Sequence, residues 1–191
     1  FQREEKLDVR EVVRQIRLIE RDIARSGLFN LVVLDSVLNS VVNSKFEHYV
    51  LTACNALASK NGMLILGTRN KGFLDKALDY KYTNAPSRNI EFLDKENFSA
   101  TFRAGVWTIQ HFHTHATLRK LLEEYFYDVE IIGVRSASQI YAIAKRPRKL
   151  DDDRVREALE IEFNMEYPGE YRHNQHKGLV ELIMTRLKGE R

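Results

Sequence analysis

The stretch FNLVVLDSVLNSVVNSKFEHYVLTACNALASKNGMLILGTRN, residues 29–70, decides the fold. Phe29 to Leu34 is a nearly continuous β-forming run, the pattern of a strand covered on both faces. Ser44, with Glu47 three residues on, reads as a capping box. The helix it opens turns Phe46, Val50, Leu51, Cys54 and Leu57 inward, and Asn61-Gly62 ends it. Met63 to Leu66 is a second short buried strand. A helix between two apolar strands is the crossover unit of a parallel sheet. The polar turn Asp35 to Asn39 therefore falls at the carboxyl end of that sheet, where open α/β folds bind their ligands.

Upstream, Val9, Val12, Val13, Ile16, Ile19 and Ile23 form one apolar stripe of a helix over residues 8–26. Asp8 and Glu11 are its capping box, and Gly27 stops it. Downstream, Leu74, Ala77 and Leu78 indicate a short helix, followed by an excursion through Tyr80, Tyr82 and Pro86. Residues 90–112 are rich in β-formers with turns at Lys95–Asn97 and Ala104-Gly105, an antiparallel insertion of two or three strands. Thr114 caps a helix carrying Leu118, Leu121, Leu122 and Tyr125. Val129–Val134 and Gln139–Ala144 form an antiparallel hairpin. After Leu150 the character changes. A helix from Asp151–Asp153 to about Phe163, a loop at Tyr167-Pro168-Gly169 and a helix over Gly178–Leu187 make a tail packed on the domain. The division is thus an α/β domain over 1–150 and a helical extension over 151–191.

The 191 residues, 43% apolar, suffice for one domain with a sizeable core. No apolar run reaches the roughly 20 residues of a membrane span, and FQREEKLD is no signal peptide. The start at Phe1 marks the chain as a fragment or a processed product. A lone cysteine excludes an internal disulfide and suits a reducing cytoplasm. The net charge of +3 permits nucleic-acid binding without diagnosing it. Lys145, Arg146, Arg148 and Lys149 are followed by Asp151–Asp153, a mixed-sign solvated face rather than a phosphate track.

Phe29-Asn30-Leu31-Val32, Val37-Leu38-Asn39-Ser40-Val41 and Leu57-Ala58-Ser59-Lys60-Asn61-Gly62 stand in an order that resembles the middle of a class I S-adenosylmethionine-dependent methyltransferase. In that family a strand of the form F-D-L-V ends in a polar turn, and a helix leads through a proline-glycine-glycine turn to a buried strand. Residues 113–134 are similar to the family's later helix, which runs into the final hairpin. The resemblance covers residues 29–70 and 111–146. It implies a Rossmann-like methyltransferase sheet, S-adenosylmethionine as cofactor and methyl transfer as the activity. Asn30 replaces the usual Asp, and Asn61-Gly62 replaces the Pro-Gly-Gly turn. The glycine-rich first loop is absent: nine glycines occur, none as G-x-G. The acid that ends the family's second strand is not identifiable either. The chain therefore reads as the C-terminal portion of the domain.

By the same resemblance, Asp35, Ser36 and Val37 lie beside the cofactor's methionine portion. Asn39 faces the substrate, while Leu38 packs inward. Thr68-Arg69-Asn70 follows the next strand on the same edge, where Arg69 and Asn70 are placed to meet substrate. The motif lacks the Asp-Pro-Pro-Tyr form of exocyclic-amine DNA methyltransferases, and Cys54 lies on an apolar helix face, which reads as a buried core residue and argues against a nucleophile. His111, His113 and His115 alternate, but Thr114 breaks the strand before His115 and no carboxylate or cysteine stands nearby in sequence, so no metal is assigned. His111 and His113 are taken instead as hydrogen-bonding or proton-accepting groups, with Trp107 and Phe112 beside them for stacking. His173 and His176 read as surface residues.

Two functions follow. The first is a methyltransferase acting on DNA or another nucleic acid, the substrate favoured if the chain resembles the bacterial and phage proteins in which such a domain follows a ParB-like DNA-binding module. The second is a non-catalytic methyltransferase-like module that binds nucleic acid or a protein. In either case strand 29–34 becomes an apolar edge, to be covered by the upstream part of the same protein or by a partner chain.

Overall fold

The computed structural model describes residues 8–75, 91–94, 97–103, 106–164, 166–167, 171–172 and 176–190. Helix α1 (Val9–Ser26) is capped by the Asp8 carboxylate, which accepts from the backbone N–H groups of Arg10 and Glu11. Glu11 pairs with Arg14 and Gln15 instead of closing the capping box. Strand β1 (Phe29–Asp35) is followed by helix α2 (Ser44–Leu57) and strand β2 (Ala58–Arg69). β1 and β2 are parallel, the crossover unit that residues 29–70 encode.

The helix ends four residues earlier than Asn61 and the strand begins earlier. Ala58 already has extended backbone, and Gly62 lies in a close-packed irregularity of the strand, where a Cβ would lie 2.8 Å from Phe29 O and 3.0 Å from Ser59 N. The same irregularity shifts the β1–β2 register between Phe29 and Leu31.

Helix α4 (His115–Glu123) starts from a Thr114 cap, closed by Thr117. Strands β6 (Phe126–Ile132) and β7 (Gln139–Pro147) form the expected hairpin, and β7 pairs antiparallel with β2. The sheet order is β1-β2-β7-β6. This is an α/β fold with a parallel pair extended by a C-terminal antiparallel hairpin. Three short strands, β3 (Glu91–Phe92), β4 (Asn97–Arg103) and β5 (Val106–His111), make the separate antiparallel insertion. Helix α3 is described over 71–75; Ala77, Leu78, Tyr80, Tyr82 and Pro86 lie outside the described residues.

Among the described residues the apolar side chains gather in two cores. In the first, Leu51 and Cys54 of α2 and Leu118 and Leu122 of α4 pack on Leu64, Leu66, Ile140, Ala142 and Ala144 of the sheet. Val32 and Leu34 of β1 point into this core. Their neighbours do not: Leu31 and Val33 are 49% and 61% exposed, so β1 is not covered on both faces as its composition suggests. Phe46 is also exposed, on the outer side of α2.

The second core joins α1 to the tail. Helices α5 (Asp152–Asn164) and α6 (Lys177–Glu190) bring Val155, Leu159, Phe163, Leu179, Val180 and Ile183 against Ile16 and Ile23. A short hairpin, β8 (Glu166–Tyr167) and β9 (Tyr171–Arg172), lies between them. His176 is buried at the start of α6, not at the surface; His173 lies outside the described residues. Among the described residues no helix is long and apolar enough to cross a membrane.

Candidate functional site

The turn after β1 sits at the carboxyl end of the parallel pair. Asp35 stands opposite Gly67 in register, and Ser36 N donates to Gly67 O at 2.9 Å. A Cβ on Gly67 would lie 2.2 Å from Asp35 Oδ1 and 3.0 Å from the Tyr141 ring. Only glycine leaves room for the Asp35 carboxylate to lie across β2. Ser36 holds φ of 59°, a left-handed conformation that costs a non-glycine residue about 1–2 kcal/mol. Such strain concentrates at functional turns. Asp35, Ser36 and Val37 are all exposed, and Asp35 makes no ion pair among the described residues.

Leu38 to Ser40 then form one short 3-10 turn. Leu38 is buried in the first core, as its apolar character requires. Asn39 is also buried, with its Oδ1 lacking a partner among the described residues. Strand β5 lies against this turn and carries His111 to it. Trp107 belongs to β5 and pairs with Phe102, but its side chain lies outside the described residues.

His113 is fixed by the sheet edge. It bridges to Asn70, its N–H donates to Arg69 O at 3.1 Å, and its O accepts from Lys71 N at 2.9 Å. Arg69 is half-buried at the end of β2. Asn70 is buried and fully engaged: its Nδ2 donates to Arg135 O and Ala137 O, and its Oδ1 accepts from Gly72 N. It ties the β6–β7 turn to the site edge. Thr68, beside them, keeps a buried Oγ1 with no partner among the described residues.

The histidines meet a carboxylate that is distant in sequence. Glu47 Oε1 lies 2.7 Å from His113 Nε2, across 66 positions, and 3.4 Å from His111 Nδ1. All three side chains are buried. The two imidazole rings are 4.4 Å apart, inclined by 36°. His115 leaves the group, as the Thr114 cap dictates, and turns its Nε2 to Gly133 O at 3.2 Å. Beside the triad a cavity of about 200 Å³ is lined by Glu47, Lys71, His111, His113, Thr114 and Thr117.

Glu47 is the member of this cluster that reading along the chain misses. It stands three residues after Ser44 and so resembles a capping-box acid. The cap is in fact Asn43, whose side chain accepts from Lys45 N. With Asn43 as N-cap, Glu47 falls one position beyond the capping-box slot and its side chain turns into the molecule. An Asn immediately before the Ser was the available signal.

Compared with known proteins, the chain matches no family model and no curated protein. Among solved structures it is similar to an S-adenosylmethionine-dependent methyltransferase from Methanosarcina mazei, at 19% identity and a TM-score of 0.43, covering 64% of this chain and 59% of that one. It is similar also to one from Clostridium acetobutylicum, at 12% identity and a TM-score of 0.39, covering 62% and 58%. The CcbJ methyltransferase from Streptomyces caelestis aligns at 7% identity and a TM-score of 0.40, covering 64% and 59%. The chain thus spans less than two thirds of the length of each of these structures.

Proposed function

We propose that this chain is the C-terminal part of an S-adenosylmethionine-dependent methyltransferase, with DNA or another nucleic acid as the acceptor. The observation that carries the reading is the β1-β2-β7-β6 sheet, whose parallel pair ends in the Asp35–Ser36 turn. The residues fit the methionine half of the cofactor. An exposed carboxylate without an ion-pair partner among the described residues suits an ammonium group, and Gly67 is what leaves room for that carboxylate at the strand ends. No described residue supplies the adenosine half. When bound, the cofactor supplies an electrophilic methyl to a nucleophile held in line.

Asp35, Ser36 and Val37 bind and orient it at the end of β1. Asn39 offers a buried acceptor to the substrate and Lys71 borders the cavity, while Arg69, by its charge, and Trp107, by residue type alone, are the further substrate residues of this reading. Asn70 positions the loop between them. His111 and His113 take up the acceptor's proton, and Glu47 orients His113. The uncovered side of β1 is closed by upstream residues of the same protein or by a partner chain, and the setting is the cytoplasm.

Calorimetry with S-adenosylmethionine on the full-length gene product tests the reading. Saturable binding that Asp35→Ala weakens is expected; no binding at millimolar cofactor removes it. That second outcome would favour a non-catalytic nucleic-acid- or protein-binding module, the alternative for a chain in which no described residue forms the glycine loop. The chain alone is expected to bind the cofactor weakly or not at all.

A further inference from the structure

We propose that Glu47, His111 and His113 form a divalent transition-metal centre, with a coordination position open to the adjoining cavity. One ligand atom from each lies within 4.8 Å of the other two. The separations of 2.7 and 3.4 Å around Glu47 Oε1 bracket the spacing of two ligands bound to one ion. Two ligands each about 2.1 Å from a common centre stand about 3.0–3.4 Å apart.

Three separate elements converge to make this cluster. The first turn of α2 sends Glu47 inward although Asn43 already caps the helix. The end of β5 supplies His111. The bridge to Asn70, just past the end of β2, supplies His113, two residues on and on the same side of an extended segment. Phe112, between them, is itself buried.

A buried carboxylate and two buried imidazoles need compensation. Both rings address the same Glu47 oxygen. A divalent cation satisfies the carboxylate and both imidazole lone pairs together.

The donor set narrows the ion. Two imidazole nitrogens and one carboxylate suit Zn²⁺, Fe²⁺ or Co²⁺. Ca²⁺ and Mg²⁺ prefer oxygen alone, and Cu⁺ prefers sulfur. Structural zinc sites are closed by four protein ligands, whereas three ligands beside a cavity leave room for water or a substrate atom. Here that room is the cavity of about 200 Å³ bordered by Lys71, Thr114 and Thr117. The proton-accepting role given to His111 and His113 above belongs to the ion-free protein; with the ion in place both serve as ligands.

Full-length protein is stripped with a chelator and titrated calorimetrically with Zn²⁺, with metal content counted per chain. One ion per chain is expected. Glu47→Gln and His111→Ala should each weaken binding by more than about 100-fold, because even losing an outer-shell partner costs about 10–100-fold. His115→Ala, outside the cluster, should leave affinity unchanged. Glu47→Gln preserves side-chain volume and hydrogen bonding, and circular dichroism confirms that each variant is folded. Co²⁺ added to the unmutated protein gives a second readout, ligand-field bands of a nitrogen- and oxygen-bound ion. Absence of stoichiometric Zn²⁺ binding, absence of those bands, or binding that survives both cluster variants overturns the proposal. The centre rests on the triad and not on methyl transfer: metal binding without cofactor binding would remove the methyltransferase reading and leave the centre standing.

Discussion

Glu47 shows how far one side chain's role depends on its surroundings. Three residues after a serine it is a helix-capping acid by pattern, yet in the folded chain it serves two histidines. Cys54 is the opposite case, since its apolar helix face already marks it as a core residue, and it is buried. Burial, reinforced by the Glu162 charge, pushes its thiol from 9.0 up to about 12. It is therefore neutral in the folded protein at pH 8, and reaction with a thiol-disulfide reagent is expected only after unfolding. Rapid labelling under native conditions would contradict this. At the strand end, Gly67→Ala places a methyl group against Asp35 and Tyr141. The expected result is loss of about 1–3 kcal/mol of stability as the Asp35 turn is displaced, read by denaturant unfolding. Ser36→Gly relieves the left-handed conformation and should raise stability by about 1 kcal/mol, read the same way.

At the scale of elements, Tyr125 links three pieces of the chain. Its ring is buried in the first core, and its hydroxyl meets His48 Nδ1 of α2 and accepts from Arg154 of α5 at 2.6 Å. Asn55 of α2 reinforces the joint by donating to Tyr125 O and Arg148 O. Tyr125→Phe keeps the packing and removes only the hydroxyl. A loss of about 1–3 kcal/mol is expected from a hydrogen bond to a charged group, measured by urea unfolding. The patterning of these helices is legible along the chain, since Thr114 caps α4 and Val155, Leu159 and Phe163 recur at four-residue spacing on α5. Which helix that α5 stripe meets is not, because periodicity defines a face and not its partner.

Across the whole molecule, the tail completes a core. Val155, Leu159, Ile183 and Met184 pack with Ile16 and Ile23 of α1. A chain ended after Leu150 should therefore expose α1's stripe and aggregate, which light scattering detects. Leu159→Ala, a milder change, should cost about 2–5 kcal/mol. The other face of the sheet is open. Leu31, Val33, Ile132 and Tyr141 remain substantially exposed along it. An apolar face of this kind is where the proposed covering segment would pack. Charge added there, as in Val33→Lys, is expected to leave this chain's own stability within about 0.5 kcal/mol, read by denaturant unfolding, and under the proposed function to weaken association with whatever segment covers this face.

The sequence by itself determined the α/β class, the crossover unit over residues 29–70, the insertion, the hairpin and the placing of Asp35–Asn39 at the strand ends. These follow from periodicity, caps and turns, which act over a few residues. The tertiary structure alone decided that one face of β1 stays open, that His176 is buried, and that Glu47 reaches His111 and His113. Those outcomes depend on which elements meet in space, as Glu47 and His113 do across 66 positions, and so on packing rather than on any local propensity.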